Sequence, residues 1–173
     1  MKKHICLFAA ALTISLTACS TDHKKIDGNG GVTGYETEAL PDGGFAQHER
    51  IPGLNPDDAD YGTLAAHVVH FDFDSFTVRV SERPKLEFIA KWLAANPGVK
   101  LVIAGHTDSR GTVQYNVALG ERRALATRDY LLGLGADAAV LTTISYGKEH
   151  PARHGENEGA WAANRRAEFG VAR

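Results

Sequence analysis

Between Ser20 and Gly62 the chain carries Gly28, Gly30, Gly31, Gly34, Gly43, Gly44, Gly53 and Gly62, with Pro41, Pro52 and Pro56 among acidic residues and no sustained period of 2 or 3.6. Glycine loses more backbone freedom on ordering than any other residue, and the few apolar side chains in this stretch offset little of that cost. A flexible linker is therefore expected here, and folding is confined to residues 63–173. As a coil the linker would span about 36 Å on average. The other reading is that Ile51–Tyr61 packs on the edge of the domain and shortens the tether.

Upstream of the linker the chain begins with the basic run Met1-Lys2-Lys3-His4 and an apolar stretch from Ile5 to Leu16. That stretch is too short to span a bilayer, which takes about 20 residues, and suits the apolar core of a secretory signal. Leu16-Thr17-Ala18-Cys19 follows and resembles the lipobox of bacterial lipoproteins. Residues 1–18 are thus expected to be a lipoprotein signal peptide and Cys19 the lipidated first residue of a linker covering 19–62. An ordinary signal peptide with an incidental Cys19 is the alternative. Ser20, in place of the Asp that retains lipoproteins in the inner membrane, points to an outer-membrane address. Three acyl chains, at roughly 0.8 kcal/mol per buried CH₂, would anchor the chain durably, with its domain facing the periplasm.

Cleavage removes Cys6 and leaves Cys19 as the only cysteine, so no intramolecular disulfide can form. The domain must be held by its core alone. Apolar residues make up 43% of the chain and charged residues 23%, proportions that fit a globular domain and exclude a polytopic membrane protein. Net charge is +2 over residues 1–19, −6 over 20–62 and +2 over 63–173, giving −2 in all. Bulk nucleic-acid binding, which needs Lys and Arg in excess, is disfavoured.

Residues 63–173 alternate strand and helix signals. Val69, Phe71 and Phe73 alternate with His70 and Asp72, the period of a half-buried strand. Ser81 is expected to cap a helix whose Leu86, Ile89, Ala90 and Leu93 share a face, ended by Asn96-Pro97-Gly98. Val99–Gly105 reads as a second strand, Val113–Leu132 as a long helix stopped at Gly133 or Gly135, and Val140–Tyr146 as a third strand. Asn157–Ala163 forms a short helix and Glu168–Ala172 a last strand. The pattern predicts an α/β domain of order βαβαβ(α)β, an α+β sandwich with its helices packed on a mixed sheet.

The loop after the second strand and the helix behind it hold the densest polar chemistry: Gly105-His106-Thr107-Asp108-Ser109-Arg110-Gly111-Thr112, Tyr115-Asn116 and Leu119-Gly120-Glu121-Arg122-Arg123-Ala124. With His70-Phe71-Asp72-Phe73-Asp74-Ser75 before them, and Ser145-Tyr146-Gly147-Lys148-Glu149 and Asn164-Arg165-Arg166-Ala167 after them, these motifs closely resemble the OmpA-like family of cell-wall-binding domains. The lipobox, outside that match, points to the family's lipoprotein branch. The resemblance implies noncovalent binding of peptidoglycan through its stem peptide, chiefly meso-diaminopimelate, with no cofactor. It also implies a partner in the Tol system, TolB, and a part in cell division. A general wall-tethering lipoprotein without a Tol partner is the alternative.

Diaminopimelate ends in a centre bearing both an ammonium and a carboxylate, so its receptor needs an acceptor beside a donor fork. By resemblance Asp108 takes the ammonium and Arg123 the carboxylate, the latter through two parallel hydrogen bonds. Helical spacing supports Arg123 over Arg122: Asn116, Leu119 and Arg123 fall on one face, and Arg122 points about 100° away. Spacing alone leaves a structural salt bridge equally open for Arg123. Arg123 also lies about 15 Å along its helix, so the loop must fold back to bring Asp108 near. The resemblance carries the pocket on to Phe73, Asp74, Thr107, Arg110, Asn116 and Leu119. Phe73 doubles as a core residue, and Arg110 either meets a second carboxylate or extends into solvent. Asn164 is read as a cap, and Arg165 and Arg166 as partners of acids on the sheet. Alanine at Asp108 or Arg123 is expected to remove binding and leave the thermal transition within a few degrees.

Two rival chemistries are weaker. His106 and Asp108, with His70, His150 and His154, offer metal ligands but no His-x₃-His pair on a helix, so no metal is expected. A hydrolase would need a nucleophile with its base or a paired-carboxylate site; no Gly-x-Ser-x-Gly occurs, and Cys19 would be acylated. The expectation is a binding module, not an enzyme.

Overall fold

The computed structural model describes residues 54–172; the predicted signal peptide, Cys19 and the linker up to residue 53 lie outside the described residues. Along the chain run β1 (Val69–His70), α1 (Arg83–Ala95), β2 (Lys100–His106), α2 (Val113–Gly133), β3 (Leu141–Gly147), α3 (Glu158–Asn164) and β4 (Arg166–Ala172). The strands form one mixed sheet in the order β1-β4-β2-β3. β2 and β3 are parallel, as a crossover through α2 requires, and β4 is antiparallel to both β1 and β2. This is the predicted α/β arrangement.

Side-chain alternation along β2 and β4 divides the sheet into two faces. Leu101 and Ile103 of β2, with Ala167, Phe169 and Val171 of β4, enter the core under Leu86, Ile89 and Leu93 of α1 and Ala124 and Leu131 of α2. α2 lies unusually close to the sheet. A Cβ on Gly105 would collide with the carbonyl of Gly120, and one on Gly120 would collide with the Ser145 hydroxyl. Only two facing glycines let backbone meet backbone here, and the contact brings the next turn of α2, with Arg123, down to the end of β2.

The opposite face buries Val102 and Ala104 of β2. Residues 54–62 run beside it as a strap: Asp60 and Val171 exchange two backbone hydrogen bonds of 2.9 Å, and the Tyr146 hydroxyl donates to Asp57 Oδ1 at 2.6 Å. Gly170 leaves room for this strap. A Cβ there would stand 2.9 Å from the Tyr61 ring and 2.8 Å from Ala59 Cβ. Leu54–Tyr61 therefore contacts the domain edge, the alternative that composition left open for this stretch.

Two local expectations are corrected. The first strand does not reach Phe73: pairing ends at His70, and Phe73 is 61% exposed. The reason is that β4 starts at Arg166, so past Phe71, whose N–H bonds Arg165 O at 2.9 Å, the chain has no strand partner and turns. Ser81 does not cap α1. It lies inside a 3₁₀ turn, Val80–Glu82, and Pro84 in the first turn of α1 removes one of the N–H groups a cap would serve. Glu82, at the N-cap position, makes no side-chain cap bond either; its carboxylate accepts from His70 N at 3.1 Å and pairs with Arg79 and Lys85. Later boundaries shift by one or two residues, and Asn157 caps α3 by accepting from Ala160 N at 3.0 Å.

Candidate functional site

The segment from Thr107 to Thr112 leaves the end of β2 and folds back over α2. Thr112 caps α2 by accepting from Tyr115 N. Asn116 Nδ2, one turn inside the helix, donates to Arg110 O at 2.8 Å and Thr112 O at 3.0 Å, and Lys148 Nζ donates to Gly111 O at 3.0 Å. Gly111, at φ 90°, supplies the left-handed turn this return needs.

The result is a cavity of about 200 Å³ lined by Phe73, Asp74, Thr107, Asp108, Arg110 and Asn116, with Leu119 and Arg123 deeper along α2. Every residue that the sequence and the resemblance placed in the pocket lines this one cavity. Gly111 and Tyr115 line it too, and the sequence reading missed them. Tyr115 precedes Leu119 by four positions, the helical spacing that would have found it.

Asp108 is buried, and its Oδ2 pairs with Arg110 Nη2 at 2.5 Å and Arg165 Nη1 at 3.5 Å. Among the described residues its Oδ1 accepts only the Arg110 backbone N–H, at 3.3 Å. Burial alone would raise the Asp108 carboxyl, but the hydrogen bond and charge of Arg110 outweigh it and hold the group below the usual carboxylate range.

Arg123, 1% exposed, is among the largest fully buried side chains. Nε donates to Ser75 O at 2.9 Å, Nη1 to His106 O at 2.8 Å and Nη2 to Asp72 O at 3.1 Å. Those bonds take three of its five N–H groups and tie the turn after β1 to the end of β2. Burial pushes its guanidinium down to about 10, with the Asp108 charge opposing that shift and Arg165 adding to it, so it stays cationic at neutral pH. Its partners are backbone carbonyls, not the neighbouring acid that a structural salt bridge would need. These bonds argue against the expectation that alanine here spares the thermal transition, because the change would strand three carbonyls beside a large void.

Asp74 lies in the left-handed region at φ 52°, and its Oδ1 accepts from the Tyr115 hydroxyl. Arg110 does not extend into solvent: its guanidinium carbon stands 4.0 Å from the Phe73 ring centre and 4.1 Å from that of Trp161. The fold-holding reading of the last motif is correct for Arg166, which pairs with Glu168 on β4 at 2.6 Å. Asn164 braces the loop before α3 by trading two hydrogen bonds with the backbone of Arg153. Arg165, in contrast, reaches behind the cavity to Asp108 and pairs with Glu158 at 2.7 Å. His106 and Asp108 part company: Asp108 enters the cavity, whereas His106 lies against Tyr146 on the strap side of the sheet. Among the described residues no three of His, Cys, Asp and Glu converge as a metal would need.

Comparison with known proteins agrees with this architecture. The OmpA family profile matches residues 70–165. The peptidoglycan-associated lipoprotein of Legionella pneumophila is 37% identical over 161 residues, covering 92% of this chain and 89% of that protein. Its counterpart from Haemophilus influenzae is 36% identical, covering 93% of each. The crystal structure of the peptidoglycan-associated lipoprotein from Burkholderia pseudomallei superposes with a TM-score of 0.61 at 39% identity, over 68% of this chain and all of that one. The C-terminal domain of Helicobacter pylori MotB, at 22% identity and a TM-score of 0.58, shares the fold.

Proposed function

Because this chain belongs to the OmpA family, alongside its peptidoglycan-associated lipoproteins, we propose that it binds peptidoglycan noncovalently and ties the cell wall to the outer membrane. One observation carries the reading: Asp108 and Arg123 are both buried on a single cavity, and both keep unused hydrogen-bonding capacity. Among the described residues, Asp108 Oδ1 has room for an ammonium, and Arg123 has two N–H groups left for a carboxylate. The side-chain terminus of meso-diaminopimelate presents both charges on one carbon. A cavity of about 200 Å³ is small beside the roughly 300–1,000 Å³ of drug-sized pockets and suits such a terminus. Phe73 and Leu119 offer apolar walls to the methylene stem, and Asp74, Thr107 and Asn116 the polar surround.

The site grips the wall and leaves it uncut. Asp108, kept ionised by Arg110, is a good acceptor for a cation and a poor base at neutral pH. Cys19, acylated, would hold the chain in the outer membrane with its domain in the periplasm. The resemblance of the chain's motifs to the family's lipoprotein branch is the sole ground for extending the reading to TolB of the Tol system, with the domain alternating between wall-bound and TolB-bound states. Co-purification of the chain with a periplasmic propeller protein tests that part.

The direct test is incubation with purified diaminopimelate-type sacculi. The parent is expected to co-sediment without releasing soluble fragments, and Asp108→Ala to stay in the supernatant. Released fragments, or a variant that pellets like the parent, would overturn the proposal.

A further inference from the structure

Arg110 makes one side-chain hydrogen bond among the described residues, to Asp108 Oδ2, and its Nε has no partner. What fixes the guanidinium is the stack around it: the Phe73 ring centre at 4.0 Å and the Trp161 ring centre at 4.1 Å. Phe73 lines the cavity; Trp161, on α3, does not. The indole is itself held in place. Its N–H reaches Ser109 Oγ at 3.1 Å and Glu156 Oε2 at 3.2 Å, and Ser109 Oγ donates to the same Glu156 oxygen at 2.8 Å. Arg165, at the end of α3, bonds Phe71 O at 3.1 Å and so ties the support of one ring to that of the other.

We propose that Trp161 is a positioning residue for the ligand site: with Phe73 it clamps Arg110 over Asp108 Oδ2, so that Oδ1 is the oxygen left for the ligand's cation. Without the clamp, Arg110 is free to swing across both oxygens or away into solvent. Either movement removes the ordered acceptor that an ammonium needs. A cationic side chain between two ring faces is held by their quadrupoles, whereas an aliphatic residue at 161 supplies packing without that attraction. The inference rests on the wall-binding reading of the cavity and names a residue outside its lining.

A double-mutant cycle on the full lipoprotein, read as binding to diaminopimelate-type sacculi, tests it. Trp161→Ala and Trp161→Leu are each expected to weaken binding about fivefold, and Trp161→Phe to stay within about twofold of the parent. In an Arg110→Ala background the same changes at 161 are expected to have no further effect, because their action runs through Arg110. Trp161→Leu keeps the test available if Trp161→Ala does not fold. Equal losses in both backgrounds would mean that Trp161 merely holds the fold, and would overturn the proposal. So would a Trp161→Leu variant that binds like the parent. Loss of the wall-binding reading itself has a different signature, a parent that fails to pellet.

Discussion

The two faces of the sheet bury polar groups by opposite means. On the ligand side, Asp108 stays charged because the hydrogen bond and charge of Arg110 outweigh its burial, and Arg123 stays charged because burial brings its guanidinium down only to about 10, with the Asp108 charge opposing that shift. On the strap side, His106 is 2% exposed and, among the described residues, neither ring nitrogen has a well-formed hydrogen bond; the Glu168 carboxylate stands 3.7 Å from Nε2. Burial, with the charges of Arg166 and His150 added, lowers its pKa to about 3, so it packs as a neutral ring against Tyr146. The buried charges of Asp108 and Arg123 line the ligand cavity, whereas the buried ring of His106 is held neutral and belongs to the fold. His106, the last residue of β2, and Asp108, two residues on, meet these opposite fates because the chain leaves the strand after His106 and folds back over α2, which carries Asp108 to the other side.

The sharpest way to break this contrast is at Arg123, where receptor and brace coincide. Arg123→Ala is expected to lose wall binding and also about 3 kcal/mol or more of stability, since three buried carbonyls lose their donor. At about 4 to 8 °C per kcal/mol for a domain of this size, the melting temperature should fall by more than 10 °C. A variant melting within a few degrees of the parent would show that the carbonyls find other donors. Asp108→Asn separates the two roles. It keeps the shape and removes the charge, so sacculus binding should drop tenfold or more while the melting temperature moves less than in Arg123→Ala.

Acid should reach the two faces in sequence. His106 has its folded pKa below its unfolded value, so its contribution to stability is complete above about pH 6.5 and is lost as pH falls toward 3. One withheld proton sets a slope of about 1.4 kcal/mol per pH unit, and His70, also lowered by burial, adds to the same limb. Asp108 is likewise lowered, but from the ordinary carboxylate value, so its contribution fades only below about pH 4. Melting followed at pH 7 and pH 5 should therefore show lost stability with wall binding intact, and His106→Leu should flatten that loss. Binding that fails in step with stability at pH 5 would put both faces in one titrating unit. The smallest effect is expected from Tyr146→Phe, which removes the bond to Asp57 and should cost about 1 kcal/mol by thermal melting, with sacculus binding unchanged.

What the sequence made legible was local. The 3.6 period placed α1 and α2, and the 100° rotation per residue separated Arg123 from Arg122. The glycines at 105 and 120 stood in quoted motifs, but nothing local said that they face each other. Phe73 was misread because alternation describes a strand without saying where its partner begins. The brace role of Arg123 was hidden for the same reason: its acceptors at Asp72, Ser75 and His106 lie in other parts of the chain. The Trp161 stack on Arg110 joins α3 to a loop far upstream and leaves no periodic trace. Composition marked residues 54–62 as linker although Asp60 and Tyr61 engage β4, because the contact depends on the gap at Gly170.

The central claim is that one carboxylate and one guanidinium together select a ligand terminus bearing both charges. Calorimetric titration of the protein with two stem peptides, alike except for diaminopimelate or lysine at the third position, addresses it most directly. The lysine peptide keeps the ammonium and lacks the carboxylate, so the diaminopimelate peptide should bind tenfold or more tightly. Equal affinity for the two would contradict the account.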